Sequence, residues 1–147
     1  MVFLGGSIDM GFAPDWQADV IAALSEDDVV ILNPRRSVWN EHSKPSADNP
    51  DFREQVEWEL AALEAADVIG LYLAPGSQSP ISLLELGLYA RSGKLVVRCA
   101  EGFWREGNVQ ITAARYGVEL VDSMPALLAS IRRRASSHLR GDKSSDE

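Results

Sequence analysis

Apolar residues fall along this chain in short runs separated by stretches of helical spacing. The longest run, Val68 to Leu73, has the length and composition of a strand buried on both faces. A Pro-Gly-Ser-Gln-Ser-Pro turn follows at 75–80, which neither a helix interior nor a central strand can contain. Helical spacing then resumes at Ile81, Leu84 and Leu88. The segment from Ala66 to Ala90 therefore reads as strand, turn and helix, with the turn at the carboxyl end of the strand, where open α/β sheets hold their ligands.

The same alternation runs through the rest of the chain. Val2 to Leu4 reads as a short buried strand that passes at once into Gly5-Gly6-Ser7, a tight turn that permits close backbone approach. It lacks the third glycine of the dinucleotide fingerprint. Asp15 is placed to cap a helix carrying Trp16, Val20, Ala23 and Leu24 on one face, and Ser25-Glu26-Asp27 ends it. Val29 to Leu32 is the second buried strand. It stops at Asn33-Pro34-Arg35-Arg36, the start of a long polar loop to Pro50 in which Arg35 and Arg36 offer charge and Trp39 a flat face for a base, or simply a solvated surface.

A helix over 51–65 follows, with Phe52, Val56, Leu60 and Leu63 as its core stripe and Trp58 nearly opposite. Leu95 to Arg98 and Val118 to Val121 are the fourth and fifth strands. Between them lies a polar loop, Glu101 to Gly107, and a helix that Asn108 is placed to cap. Ser123 caps a last helix with Met124, Leu127, Leu128 and Ile131 on one face and Arg132, Arg133 and Arg134 complementing its C-terminal dipole. Five strands alternating with helices imply a single-domain α/β fold, a flavodoxin-like three-layer sandwich around a five-stranded parallel sheet. The domain is expected over 1–135, with a flexible tail over 136–147.

Within the helix after the central turn, Glu85 stands among leucines. A carboxylate there is costly unless paired, hydrogen-bonded or partly protonated. It is either a seam residue reaching water or an arginine, or a desolvated group suited to nucleophilic attack at a ligand crevice. Glu59, at the edge of the preceding helix's stripe, is close enough in this reading to act as a second carboxylate. Leu83 and Leu86, on the other side of the helix from Ile81, Leu84 and Leu88, together with outward Trp58, predict a homo-oligomer.

Composition narrows the chemistry. Of 147 residues, 14 are basic and 22 acidic, and the net charge of −8 argues against a nucleic-acid backbone as partner. The single Cys99 forms no disulfide within the chain and fits a reducing cytoplasm. His42 and His138 lack metal-ligand spacing, so neither a metal nor a cofactor is expected. No signal peptide or membrane span is read.

Taken together, these residues resemble the nucleoside 2-deoxyribosyltransferases and the related 2'-deoxynucleoside 5'-phosphate N-hydrolases. The likeness runs from Phe3 to about Gly117 and is strongest from Trp58 to Gly93. The family's Glu-Leu-Gly matches Glu85-Leu86-Gly87, and its strand-opening Asp, eighteen residues earlier, matches Asp67.

The resemblance implies that Glu85 is the nucleophile forming a 2-deoxyribosyl ester, and that Glu59 is the second acid, where the family carries Asp. It implies substrate contacts from Gly6, Ser7 and Ile8 and from Ser79, to which the reading of the residues themselves adds Gly5 in the first turn and Asn33 and Arg35 in the loop after the second strand. Ser79 falls where the nucleotide hydrolases contact the 5'-phosphate. Asn108 matches a transferase Asn that reaches a neighbouring subunit's sugar, so the oligomer would share its sites. Phe3 departs from a Tyr that hydrogen-bonds the nucleophile, leaving Tyr72, Tyr89 or a different arrangement to hold Glu85. The implied activity is transfer or cleavage at the N-glycosidic bond of 2'-deoxynucleosides, in nucleotide salvage. The alternatives are hydrolysis of nucleoside 5'-monophosphates to the free base, and a non-catalytic nucleotide-binding or sensing module.

Overall fold

Each apolar run becomes a strand of one all-parallel sheet in the computed structural model, which describes residues 1–9, 12–36 and 44–142. The elements alternate throughout: β1 (Val2–Gly6), α1 (Trp16–Ala23), β2 (Ile31–Leu32), α2 (Pro50–Ala65), β3 (Val68–Leu73), α3 (Pro80–Tyr89), β4 (Leu95–Cys99), α4 (Glu106–Tyr116), β5 (Glu119–Leu120) and α5 (Met124–Asp142). The strand order is β2-β1-β3-β4-β5, that of a flavodoxin-like sandwich. Trp39 and His42 lie outside the described residues. Among those described, no helix is long and apolar enough to cross a membrane.

The period-two alternation of the central strands builds a core on each face of the sheet. Phe3, Ile69, Leu71, Leu73, Leu95 and Val97 pack with Leu63, Leu86, Phe103 and Val109 on one side. Val2, Leu4, Val68 and Val96 pack with Trp16, Val20, Leu24, Leu127 and Ile131 on the other. The second strand is shorter than its apolar run and only half-buried, with Val30 exposed, because it lies at the sheet's edge with one neighbour. The fifth shrinks to Glu119–Leu120 at the opposite edge.

Helix ends follow local chemistry. Asp15 caps α1 by accepting from Ala18 N at 3.1 Å, and Asn49 caps α2 through Asp51 N and Phe52 N, with Pro50 at the first helical position. Ser123 caps α5 through Ala126 N. Asn108 does not cap α4. The helix begins at Glu106, entered through Glu106 N donating to the carbonyl of buried Phe103, and Asn108 sits exposed in its first turn. Arg132–Arg134 lie in mid-helix, since α5 runs through Asp142. Arg132 pairs with Asp27, and Arg133 and Arg134 with Glu119. Ala135 is the last buried residue of that helix, so residue 135 marks where burial ends while the helix continues.

Two helix faces differ from the expected ones. In α2, Leu60 is 42% exposed while Ala62 and Leu63 are buried and Glu59 is half-buried. The helix is turned so that the Glu59 side, not the Leu60 side, meets the sheet, and small Ala62 and Ala66 allow close approach there. In α3, Leu86 is buried and Leu83 packs against the core, so neither forms a spare face. The outward stripe is Ile81, Leu84 and Leu88, at 58, 59 and 56% exposure. Trp58 is outward as expected.

The contrast in α2 gives a direct test. Leu63→Ala leaves a buried cavity and is expected to cost about 2–5 kcal/mol, whereas Leu60→Ala is expected to cost less than about 1 kcal/mol, read from chemical denaturation of the two variants. Equal losses would contradict the rotated face.

Candidate active site

The carboxyl edge of the sheet is shaped by what β1 lacks. Gly6 has φ of 121°, and a Cβ there would lie 2.2 Å from the Tyr72 carbonyl oxygen. Only glycine tolerates both the dihedral and the contact. At Gly5 a Cβ would come within 2.4 Å of Leu71 Cδ2 and 3.0 Å of Glu85 Oε2. The missing side chain is therefore the space into which α3 sets the carboxylate of Glu85.

Ser7 continues this edge. Its N–H donates to the Tyr72 carbonyl at 2.7 Å, and its carbonyl accepts from Trp16 Nε1 at 3.2 Å. Its Oγ accepts from Ala74 N at 2.8 Å and lies 2.7 Å from Ser77 Oγ and 2.8 Å from Ser79 Oγ, which are 2.5 Å from each other. All three serines are buried. Ser79 holds the N-cap position of α3 in a left-handed conformation, φ 45° and ψ 52°, and its hydroxyl caps nothing. The first N–H groups of α3 are thus left uncapped beside a cluster of three hydroxyls, an arrangement able to hold an anion. Ile8, half-buried, closes the turn by accepting from Ala13 N.

Glu85 is 8% exposed and makes no hydrogen bond among the described residues. Burial, and secondarily the negative charge of Glu59, push its carboxyl up to about 8. Burial also raises Glu59, against a hydrogen bond from Gln55 and the positive charge of Arg36 that act to lower it. Gln55 Nε2 donates to Glu59 Oε1 at 2.8 Å, while Gln55 Oε1 accepts from Arg36 Nε at 2.9 Å and from Arg36 Nη2. A cleft of about 500 Å3 opens beside this chain, lined by Asn33, Arg36, Asp51, Glu54, Gln55 and Trp58 among others.

The expected residues are therefore spread over three settings. Gly5 meets the Glu85 carboxylate, and Glu59 couples to it electrostatically. Ser7 and Ser79 meet in the serine cluster, and Asn33 lines the cleft while its side chain accepts from Arg35 N at 3.0 Å. Arg35 also borders the cleft, but its guanidinium is anchored to the carbonyls of Ala13 and Pro14 and to Gln17 Oε1. Arg36 is the arginine linked, through Gln55, to Glu59. Asn108 makes no hydrogen bond to them among the described residues.

No tyrosine hydroxyl takes the place left by Phe3. Tyr72 stacks edge-on against Trp16 on the opposite layer, and neither it nor Tyr89 hydrogen-bonds Glu85. The Phe3 ring edge itself lies beside Gly5. Asp67 binds the N-terminal ammonium group and receives no ligand role from this geometry. Two residues of these clusters, Gln55 and Ser77, carried no signal beyond a helical Gln four residues before a Glu and a serine in a turn.

The fold is thus a flavodoxin-like α/β sandwich with a desolvated carboxyl pair, a hydroxyl cluster and a cleft along the carboxyl edge of its sheet. A family profile described as nucleoside 2-deoxyribosyltransferase like matches residues 1–103, and the chain belongs to that family. The match takes in both carboxylates and all three serines but ends before Asn108. Among curated proteins, none matches significantly.

Because Glu85 is raised in the folded chain, the folded state holds a proton that the unfolded state has released between pH 4.5 and about 8. Stability from this group is fully present below about 4.5 and lost as pH rises to about 8, a decline on the order of several kcal/mol. Melting curves across that range should show the decline in the wild type, and Glu85→Gln should flatten it. An unchanged slope in the variant would place the shift elsewhere.

Proposed function

We propose that this protein cleaves the N-glycosidic bond of 2'-deoxynucleosides or their 5'-monophosphates through a covalent glutamyl ester on Glu85. The observation that carries the reading is the Glu85 carboxylate, set against Gly5, kept from water and electrically coupled to Glu59. A carboxylate with few hydrogen bonds is a strong nucleophile once ionised, and two neighbouring acids suit a reaction that develops positive charge on a sugar.

In the first half-reaction an oxygen of ionised Glu85 bonds to C1' as the C1'–N bond breaks. The electron pair leaves with the base, which takes a proton from the carboxyl of Glu59. In the second, a new base or a water attacks C1', Glu85 departs as carboxylate, and Glu59 accepts the attacking group's proton. Transfer and hydrolysis thus differ only in the acceptor. The absence of a hydroxyl at C2' eases formation of the cation-like transition state.

The serine cluster favours the monophosphate as substrate. Rotating out of their mutual contacts, the hydroxyls of Ser7, Ser77 and Ser79 can each donate to a phosphate oxygen, alongside the uncapped N–H groups of α3. Gly6 and Ile8 flank Ser7 in the chain, and Asn33 lines the separate cleft. The exposed stripe of Ile81, Leu84 and Leu88 supports pairing with a second copy of the chain, to which Asn108 would contribute.

Incubating the protein with deoxynucleosides and their monophosphates, with and without an acceptor base, tests the reading: released base marks hydrolysis and exchanged base marks transfer. Binding without turnover would leave a sensing module and remove the proposal. Glu85→Gln should lower turnover on the order of a thousandfold or more, and a 2-fluoro substrate analogue should leave a sugar adduct on Glu85, visible by mass spectrometry.

The pH profile of kcat/KM should be bell-shaped. Chemistry needs one proton shared between the two acids, and activity should fall above about 8 as that proton is lost. Phe3→Tyr, which brings a hydroxyl toward the nucleophile, should move that alkaline limb downward; a limb that stays in place would show that the hydroxyl does not reach Glu85.

A further inference from the structure

The turn that carries Ser77 and Ser79 is held from both neighbouring strands. Ser7, just past the end of β1, meets both hydroxyls and accepts from Ala74 N. From the other side, Trp104 in the loop after β4 donates from Nε1 to the Gln78 carbonyl oxygen at 2.8 Å. Among the described residues, no other hydrogen bond ties positions 75–79 to a residue beyond the turn and α3.

The loop that presents Trp104 is firmly based. Phe103 is buried, its N–H donates to the Ala100 carbonyl, and its own carbonyl accepts from Glu106 N at the start of α4. Ala100 N in turn donates to the Leu73 carbonyl at the end of β3. The Trp104 ring is exposed, with the Arg105 guanidinium 4.4 Å from its centroid. The turn has no comparable base, since Pro75, Gly76, Gln78 and Pro80 are all exposed.

Ser79 needs such a restraint. A serine at φ 45° is strained, and the following Pro80 narrows its backbone further toward the extended region. That conformation persists only where its neighbours over-determine it. The Gln78–Ser79 peptide is trans, so its C=O and N–H point in opposite directions. Fixing the carbonyl on Trp104 therefore also fixes the direction of the Ser79 N–H, which donates to nothing among the described residues.

We propose that Trp104 is a positioning residue for the anion site. By holding the Gln78 carbonyl it keeps Ser79 left-handed, and so keeps the Ser77 and Ser79 hydroxyls and the Ser79 N–H set for a phosphate group. The inference rests on the reading of the serine cluster as a 5'-phosphate site. Trp104 acts through the peptide unit between the two serines, without touching the phosphate. Its contribution is to holding the phosphorylated end, and the chemistry at Glu85 does not draw on it.

Trp104→Phe keeps an aromatic ring beside Arg105 and removes the donor. Amide NMR of wild type and variant reads the Ser79 N–H and gives dissociation constants for inorganic phosphate and 2-deoxyribose 5-phosphate, neither of which contains a glycosidic bond to cleave. Both constants should rise on the order of tenfold in the variant, with the Ser79 signal already displaced before ligand is added. KM for the monophosphate should rise in step, while kcat and the KM for the unphosphorylated deoxynucleoside stay within about twofold.

Equal phosphate binding by the two proteins, or a Ser79 signal that stays in place, would overturn the role of Trp104. So would an equal rise in KM for monophosphate and deoxynucleoside, which marks general loosening. A wild type that binds neither phosphate probe would instead remove the serine cluster as an anion site, and the inference with it. A wild type that binds them but releases no base removes only the proposed reaction, and the dissociation constants still decide.

Discussion

Withholding water from a carboxylate raises its free energy in the charged form, and the carboxyl edge of this sheet is built around doing that to Glu85. The helix that carries it is apolar on both flanks, and the strand beneath it ends in a residue with no side chain. Oε2 of Glu85 occupies the space beside Gly5 that a side chain there would fill, next to Leu71 and Phe3. Such a group persists because the surrounding fold is held by cores on both sheet faces that do not depend on it. The same placement makes the charged form of the acid costly.

Glu59, on the preceding helix, adds its negative charge to the burial that raises the Glu85 carboxyl. Glu85 is surrounded by hydrocarbon, and Glu59 by an amide and, behind it, a guanidinium. Differences of this kind are how one pair of like residues takes on unlike roles. The serine cluster stands apart from this pair. Its hydroxyls contact one another and the Ala74 N–H, beside a helix terminus left open by the left-handed turn at Ser79.

The strands β1, β3 and β4 were legible because continuous apolar runs bounded by Gly and Pro admit few other readings. Glu85 was legible because a charge among leucines violates the pattern around it. The outward face of α3 was not, since Ile81, Leu84, Leu83 and Leu86 are equally apolar and only packing separates them. Leu60 looked like core for the same reason, hydrophobicity alone. What decides is the rotation that brings Glu59 and two small alanines against the sheet. Gln55 was illegible because a Gln four residues before a Glu is also an ordinary solvated helix pair. Ser77 was hidden by its turn composition, which accounts for a serine there without any partner.

The contact between Gly6 and the carbonyl of Tyr72 reaches beyond this one residue. It rivets the ends of two neighbouring strands together with no slack, and the amide of Ser7 adds a second fastening to the same oxygen. A side chain at position 6 would therefore have to push the end of β3 away from that of β1, and the hydrogen bond from Ser7 would be lost with the same shift.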